Sequence, residues 1–125
     1  MRVSIEHKDK VAGLFRNIHQ VDVVTSVQFT EEELAVIKSR KLKDYIVLER
    51  MPDSRMVEKL GADLPNYLDG FKLRIKDLMK GPDAFTCDTP IDAKAYEHSL
   101  TEALKELKAF IAGNAETATA KTFEL

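Results

Sequence analysis

The chain carries one thiol, Cys87, and three imidazoles, His7, His19 and His98. A cysteine nucleophile needs a base within hydrogen-bond reach and a field that lowers its pKa. Cys87 stands just before the segment TPIDAKAYEHSL, where a helix N-terminus would favour a thiolate. On a helical wheel, however, His98 points about 160° away from the apolar stripe of that helix. The pair is therefore expected to part, with Cys87 partly buried and His98 in solvent, and no catalytic residue is assigned.

His7 and His19 meet only if their strands pair, and Glu6 or Asp22 would then have to supply a carboxylate to a divalent metal. Glu6 and Asp22 have the opposite parity to the histidines and face the other side of a regular sheet. No HxH, HExxH or CxxC spacing accompanies them. His7 and His19 are the only metal-ligand candidates, and a cross-strand histidine pair facing the core or a helix is the expected arrangement. No metal and no cofactor is expected.

Phosphate-cradling loops need clustered glycines, and the five glycines here are scattered. LMKGPD lacks both the companion glycines and the lysine-serine pair, and reads as a turn. Asp83 and Asp88 flank a short segment, as aspartates in loops commonly do.

The stretch FTEEELAVIKSRKLK opens with three acids and closes with Lys38, Arg40, Lys41 and Lys43. Acids at the start of a helix and bases at its end each stabilise the helix dipole by roughly 0.3–1 kcal/mol. That use accounts for every charge without a ligand. A single-stranded nucleic-acid site would need aromatic side chains among the bases, and none is there, so no nucleic acid is expected. Lys38 and Lys41 interrupt the stripe of Leu34, Ile37 and Leu42. Either only the first turns pack, or the lysine stems lie over apolar surface with their ammonium groups in water.

These side chains depend on a small set of elements for their placement. The 125 residues are 44% hydrophobic and 32% charged with a net charge of −2, the make-up of one globular domain over 1–125 and not of a polyanion binder. A lone cysteine excludes an internal disulfide and suits a reducing compartment. The start, MRVSIEHKDKVAG, has no apolar run of signal-peptide length. The longest uncharged run, 23–30, is far short of the roughly 20 residues of a membrane helix. A soluble protein of the cytoplasm is the expectation, with no membrane partner.

Val3, Ile5 and His7 alternate with Arg2, Ser4 and Glu6, which predicts a half-buried strand. HKDK then reads as a turn. Residues 14–29 read extended, with a bend, bulge or hairpin turn at 17–20 and with Phe15, His19, Val21, Val23, Val27 and Phe29 on one face. Thr30 and Glu33 form a capping box, with Phe29 and Leu34 as its hydrophobic staple, opening a helix over about 30–41. Strands follow at 45–49, around Phe71, Leu73 and Ile75, and at 84–88, with a helical turn in KDLMKG. Thr89, Pro90 and Asp92 mark the start of a second helix over about 90–112, stopped by Gly113. Its Ala93, Tyr96, Leu100, Ala103, Leu104, Leu107, Phe110 and Ile111 share an arc of roughly 120°.

The fold expected is α+β: a mainly antiparallel sheet led by the N-terminal strands, covered on one face by two helices. Within 51–70, with a short helix at 54–60, Met51, Met56, Leu60 and Tyr67 are candidates to line a ligand pocket against the sheet. The tail, 114–125, either frays or adds through Phe123 and Leu125 as a strand to a sheet edge, in the same chain or in a homodimer. Three functional readings follow. The leading one is a non-catalytic interaction or self-association module; the others are a small-molecule binding protein and an enzyme of unrecognised type.

Overall fold

A computed structural model of the chain describes residues 1–12, 18–50 and 72–123, with side chains for all of these except 12, 18 and 114–123. The order of elements is β1 (Arg2–Ala12), β2 (Ile18–Gln28), α1 (Glu31–Ser39), β3 (Ile46–Glu49), β4 (Lys72–Arg74), α2 (Ile75–Met79), β5 (Asp83–Cys87) and α3 (Pro90–Phe123). The architecture is α+β. A three-stranded antiparallel sheet has the order β1-β2-β5, and β3 and β4 form a second, two-stranded antiparallel sheet.

Strict alternation builds the larger sheet. Val3 pairs with Val27, Ile5 with Thr25 and His7 with Val23, while β5 sets Cys87 against Val21 and Phe85 against Val23. The face carrying Val21, Val23, Thr25 and Cys87 is buried, because α3 lies on it with Ala93, Tyr96 and Leu100. The opposite face carries Ser4, Glu6, Lys8 and Lys10 on β1, all exposed. On β2 the sequence period matches the sheet face, whereas on β1 only Ile5 of that parity is partly buried and Val3, His7, Asp9 and Val11 stay exposed.

HKDK is strand and not turn: β1 runs through it to Ala12. The run contains no glycine, proline or asparagine to reverse the chain. Its charges are also answered across the sheet, since Lys8 pairs in register with Asp22, and Lys10 Nζ lies 3.9 Å from Asp22 Oδ1. Likewise Ile18, His19 and Gln20 belong to β2 and are not a bend.

α1 begins as its sequence predicts. The Glu33 N–H donates to Thr30 Oγ1 (3.1 Å) and the Thr30 N–H to Glu33 Oε1 (2.9 Å). The same carboxylate lies 2.9 Å from the Met1 α-ammonium. Burial pushes the Glu33 pKa up, but the Thr30 hydrogen bonds and the ammonium outweigh it and hold the group below its ordinary value. Only Ile37 of this helix is fully buried; Leu34 stays exposed, as do Lys38 and Lys41. The interrupted stripe thus resolves into a helix that packs through Ile37 and, half-buried, Val36, with Leu42 packing just after its end. Leu42 N–H closes onto Ile37 O (2.9 Å) and Lys41 N–H onto Lys38 O (3.3 Å), with Lys41 at φ 56°. This is a Schellman ending with a lysine in the left-handed position.

β3 and β4 pair from Ile46–Arg74 to Leu48–Leu73, so β3 carries one extra residue, Val47, as a bulge. Leu73 faces inward while Lys72 and Arg74 take the other side of β4. Leu73, Ile75, Leu78, Ile37, Leu100, Leu104, Leu107 and Ile111 close into the main core. A smaller cluster of Val21, Val23, Cys87 and Ala93 lies under the sheet, and Ile5 and Tyr96 touch both.

α3 starts where expected, with the Asp92 N–H donating to Thr89 Oγ1 (3.1 Å) and the Thr89 hydroxyl donating to Asp92 Oδ2 (2.9 Å). It does not stop at Gly113. The backbone stays helical to Phe123, and Gly113 does not adopt positive φ. Glycine ends a helix only by taking the left-handed conformation; the alanine-rich, proline-free NAETATAK that follows favours continuation instead.

Candidate functional site

The order β1-β2-β5 leaves β1 with a single partner strand among the described residues. Every residue of β1 from Arg2 to Val11 except Ile5 is exposed, with Val3 at 40% and Val11 at 58%. β5 pairs only with Val21–Thr25 of β2, so Lys10–Ala12 and Ile18–Gln20 project as a two-stranded arm past the third strand. A free edge presents a row of backbone donors and acceptors to any strand that approaches.

The polar side of the edge is cross-linked. The Thr86 hydroxyl donates to Asp22 Oδ1 (2.6 Å), Lys10 Nζ donates to Thr86 Oγ1 (3.5 Å), and Lys8 Nζ lies 3.9 Å from Glu6 Oε2. On the other side His7 Nε2 lies 3.0 Å from Glu97 Oε1 of α3. The arm is pinned further by Gln20 Nε2, which donates to Asp88 Oδ1 (3.2 Å).

A second cluster joins the two sheets. Arg50, one residue past β3, donates from Nη1 to Asp83 Oδ2 (3.0 Å) and to the Tyr96 hydroxyl (3.5 Å). Its guanidinium lies 4.9 Å from the centre of the Phe85 ring, which stacks on Tyr96 at 4.6 Å. The Arg50 and Asp83 side chains are only 8% and 15% exposed. Burial pushes the Tyr96 phenol up to about 12; Arg50 opposes that rise and Asp83 adds to it. Sequence reading missed this cluster, and no local signal announces it: Arg50 is separated from its partners by 33 and 46 residues.

The residues singled out from sequence fall as follows. Register sets His7 opposite Val23 and His19 opposite Val11, so the two histidines share a face but stand four positions apart and do not meet. Among the described residues no group of three His, Cys, Asp or Glu side chains is arranged to hold a metal. Cys87 is buried and its thiol is pushed up by burial and by the charges of Asp92, Asp88 and Asp22, so the helix N-terminus does not yield a thiolate. His98 is exposed and lines a groove with β3, Glu102 and Glu106. Met51, Met56, Leu60 and Tyr67, the short helix at 54–60 and Leu125 lie outside the described residues. Phe123 ends α3, so residues 121–123 are helix and not an added strand.

The chain matches no protein-family model, no curated protein and no solved structure. No described helix is long and apolar enough to cross a membrane.

Proposed function

We propose that this protein is a self-associating interaction module and that the outer edge of β1 is its contact surface. The reading is carried by one observation: an 11-residue strand whose outer edge is unpaired among the described residues and whose side chains are exposed nearly throughout. Edges of that length are commonly shortened, covered or blocked with proline or charge; among the described residues this one has no covering element and no proline, and its charges, from Arg2, Glu6, Lys8, Asp9 and Lys10, are of both signs.

The partner that fits is a second copy of the same chain. An antiparallel pairing centred on His7 sets Glu6 against Lys8 of the second copy, Val3 against its Val11, and the reverse of each. Such pairs contribute roughly 0.2–1 kcal/mol apiece. Sliding the pairing by two residues brings Lys8 onto Lys8 in one direction and Glu6 onto Glu6 in the other. Only the His7-centred register of these three has no like charges opposed, and it extends the sheet from three strands to six with the α3 side continuous.

Sedimentation equilibrium over a concentration series tests the proposal. The natural chain is expected to form dimers, Glu6→Lys to raise the dimer Kd about tenfold, and the double exchange Glu6→Lys with Lys8→Glu to restore it. A chain that stays monomeric up to about 0.1 mM, or a double exchange no better than the single one, would overturn it.

A further inference from the structure

His7 stands at the middle of β1, in register with Val23 and on the α3 side of the sheet. Glu97 reaches it from the flank of α3, one turn beyond the buried Ala93 that packs with Val21 and Cys87. His7 Nε2 and Glu97 Oε1 lie 3.0 Å apart, with the two side chains 30% and 44% exposed. Both polar groups therefore sit at the open margin of the sheet, outside the packed core.

An imidazole nitrogen and a carboxylate oxygen at that spacing match two corners of a tetrahedral metal site. Zinc binds histidine nitrogen at about 2.0–2.1 Å and carboxylate oxygen at about 2.0–2.2 Å, so neighbouring ligand atoms lie about 3.3 Å apart. Within one chain the set stops at two. His19 is opposite Val11, four positions along the sheet, and among the described residues no third ligand joins the pair.

A second copy completes the set; the inference rests on β1 edges pairing in the register centred on His7. That register places His7 directly opposite His7 of the second copy, with Cβ atoms about 4.5–5.5 Å apart. Antiparallel strands so paired are related by an axis perpendicular to the sheet. Both α3 helices then lie on the same side, and each brings its Glu97. Two imidazoles and two carboxylates converge there, and a divalent ion cancels the negative charges that pairing gathers at the axis. A proton on Nε2 leaves to solvent as the ion binds.

We propose that the self-associated protein binds one zinc ion between two copies, held by His7 and Glu97 of each. Imidazole and carboxylate ligands in a four-coordinate set suit zinc. Glu6 and Lys8 have the opposite parity to His7 and face the other side of the sheet. The metal site and the charge pairs of the edge can therefore be varied separately.

Sedimentation equilibrium in EDTA and in buffered zinc, with bound metal counted by competition with a chromophoric chelator, tests the proposal. Zinc is expected to bind at one ion per two chains and to lower the dimer Kd at least tenfold. His7→Asn and Glu97→Gln are each expected to abolish that response while still forming dimers in EDTA. His98→Asn, which alters an imidazole beside β3, is expected to keep it. A dimer that forms equally well in EDTA and in zinc, one ion per chain, or an unchanged zinc response in His7→Asn would overturn the metal site and leave the edge pairing standing. A chain monomeric in both media would overturn the pairing and the site together.

Discussion

Thr25 is fully buried on β2, and among the described residues its Oγ1 has no hydrogen-bond partner. It sits in the row of Ile5 and Asp83, between Val23 and Val27 on the covered face of the sheet. A buried hydroxyl without a partner costs about 1–3 kcal/mol, and valine has nearly the same shape with no polar atom to desolvate. Thr25→Val is therefore expected to stabilise the protein by about 1 kcal/mol, read as a higher urea midpoint with an unchanged slope. Parity alone places Thr25 inward; that its hydroxyl finds no acceptor depends on what β1 and β5 bring alongside. The histidines show the same division. Alternation puts His7 and His19 on one face, but the register of the hairpin separates them, and α3 supplies Glu97 to His7 instead.

Elements were the most legible part of the chain. The Thr30 capping box, the Thr89 cap, the strand at 46–49, the turn of helix at 75–79 and the inward stripe of α3 all follow from spacings of two to four residues. The errors were at boundaries, where a polar run was mistaken for a turn and a glycine for a stop. α1 ends on Lys41 in the left-handed region, a conformation that costs an L residue roughly 1–2 kcal/mol. Glycine adopts it freely, at some extra entropy in the unfolded chain. Lys41→Gly should then raise stability by about 0.5–1 kcal/mol, and thermal denaturation followed by far-ultraviolet circular dichroism will measure it. A loss of stability would mean that the lysine side chain contributes more than its backbone costs.

Across the whole molecule, the Arg50 cluster is a polar tie between the two sheets beside the shared apolar core, and it gives the protein a vulnerable alkaline range. The Tyr96 phenol has a folded pKa of about 12 against about 10 in an unfolded chain. A raised folded pKa means that the neutral form is favoured by folding. That stabilisation is complete below about pH 10 and is lost as pH climbs toward 12. Denaturation midpoints measured across this range are expected to fall, and Tyr96→Phe to flatten the fall. An equal slope in both proteins would show that the phenol is not protected. The exposed β1 edge belongs to this level too, since an edge exists only once the order of strands is set.

The chain's own residues dictated what repeats locally: the two-residue period of β1 and β2, the 3.6-residue stripe of α3 and the caps that begin each long helix. Those patterns arise from backbone geometry within a few residues, so they survive being read without a partner in view. The fold decided which strand has an open edge among the described residues and that Arg50 finds Asp83 and Tyr96. Arg50 meets Asp83 and Tyr96 across 33 and 46 positions of the chain, and only the closing of the hydrophobic core around Leu73, Leu100 and Leu107 brings them within reach of one another.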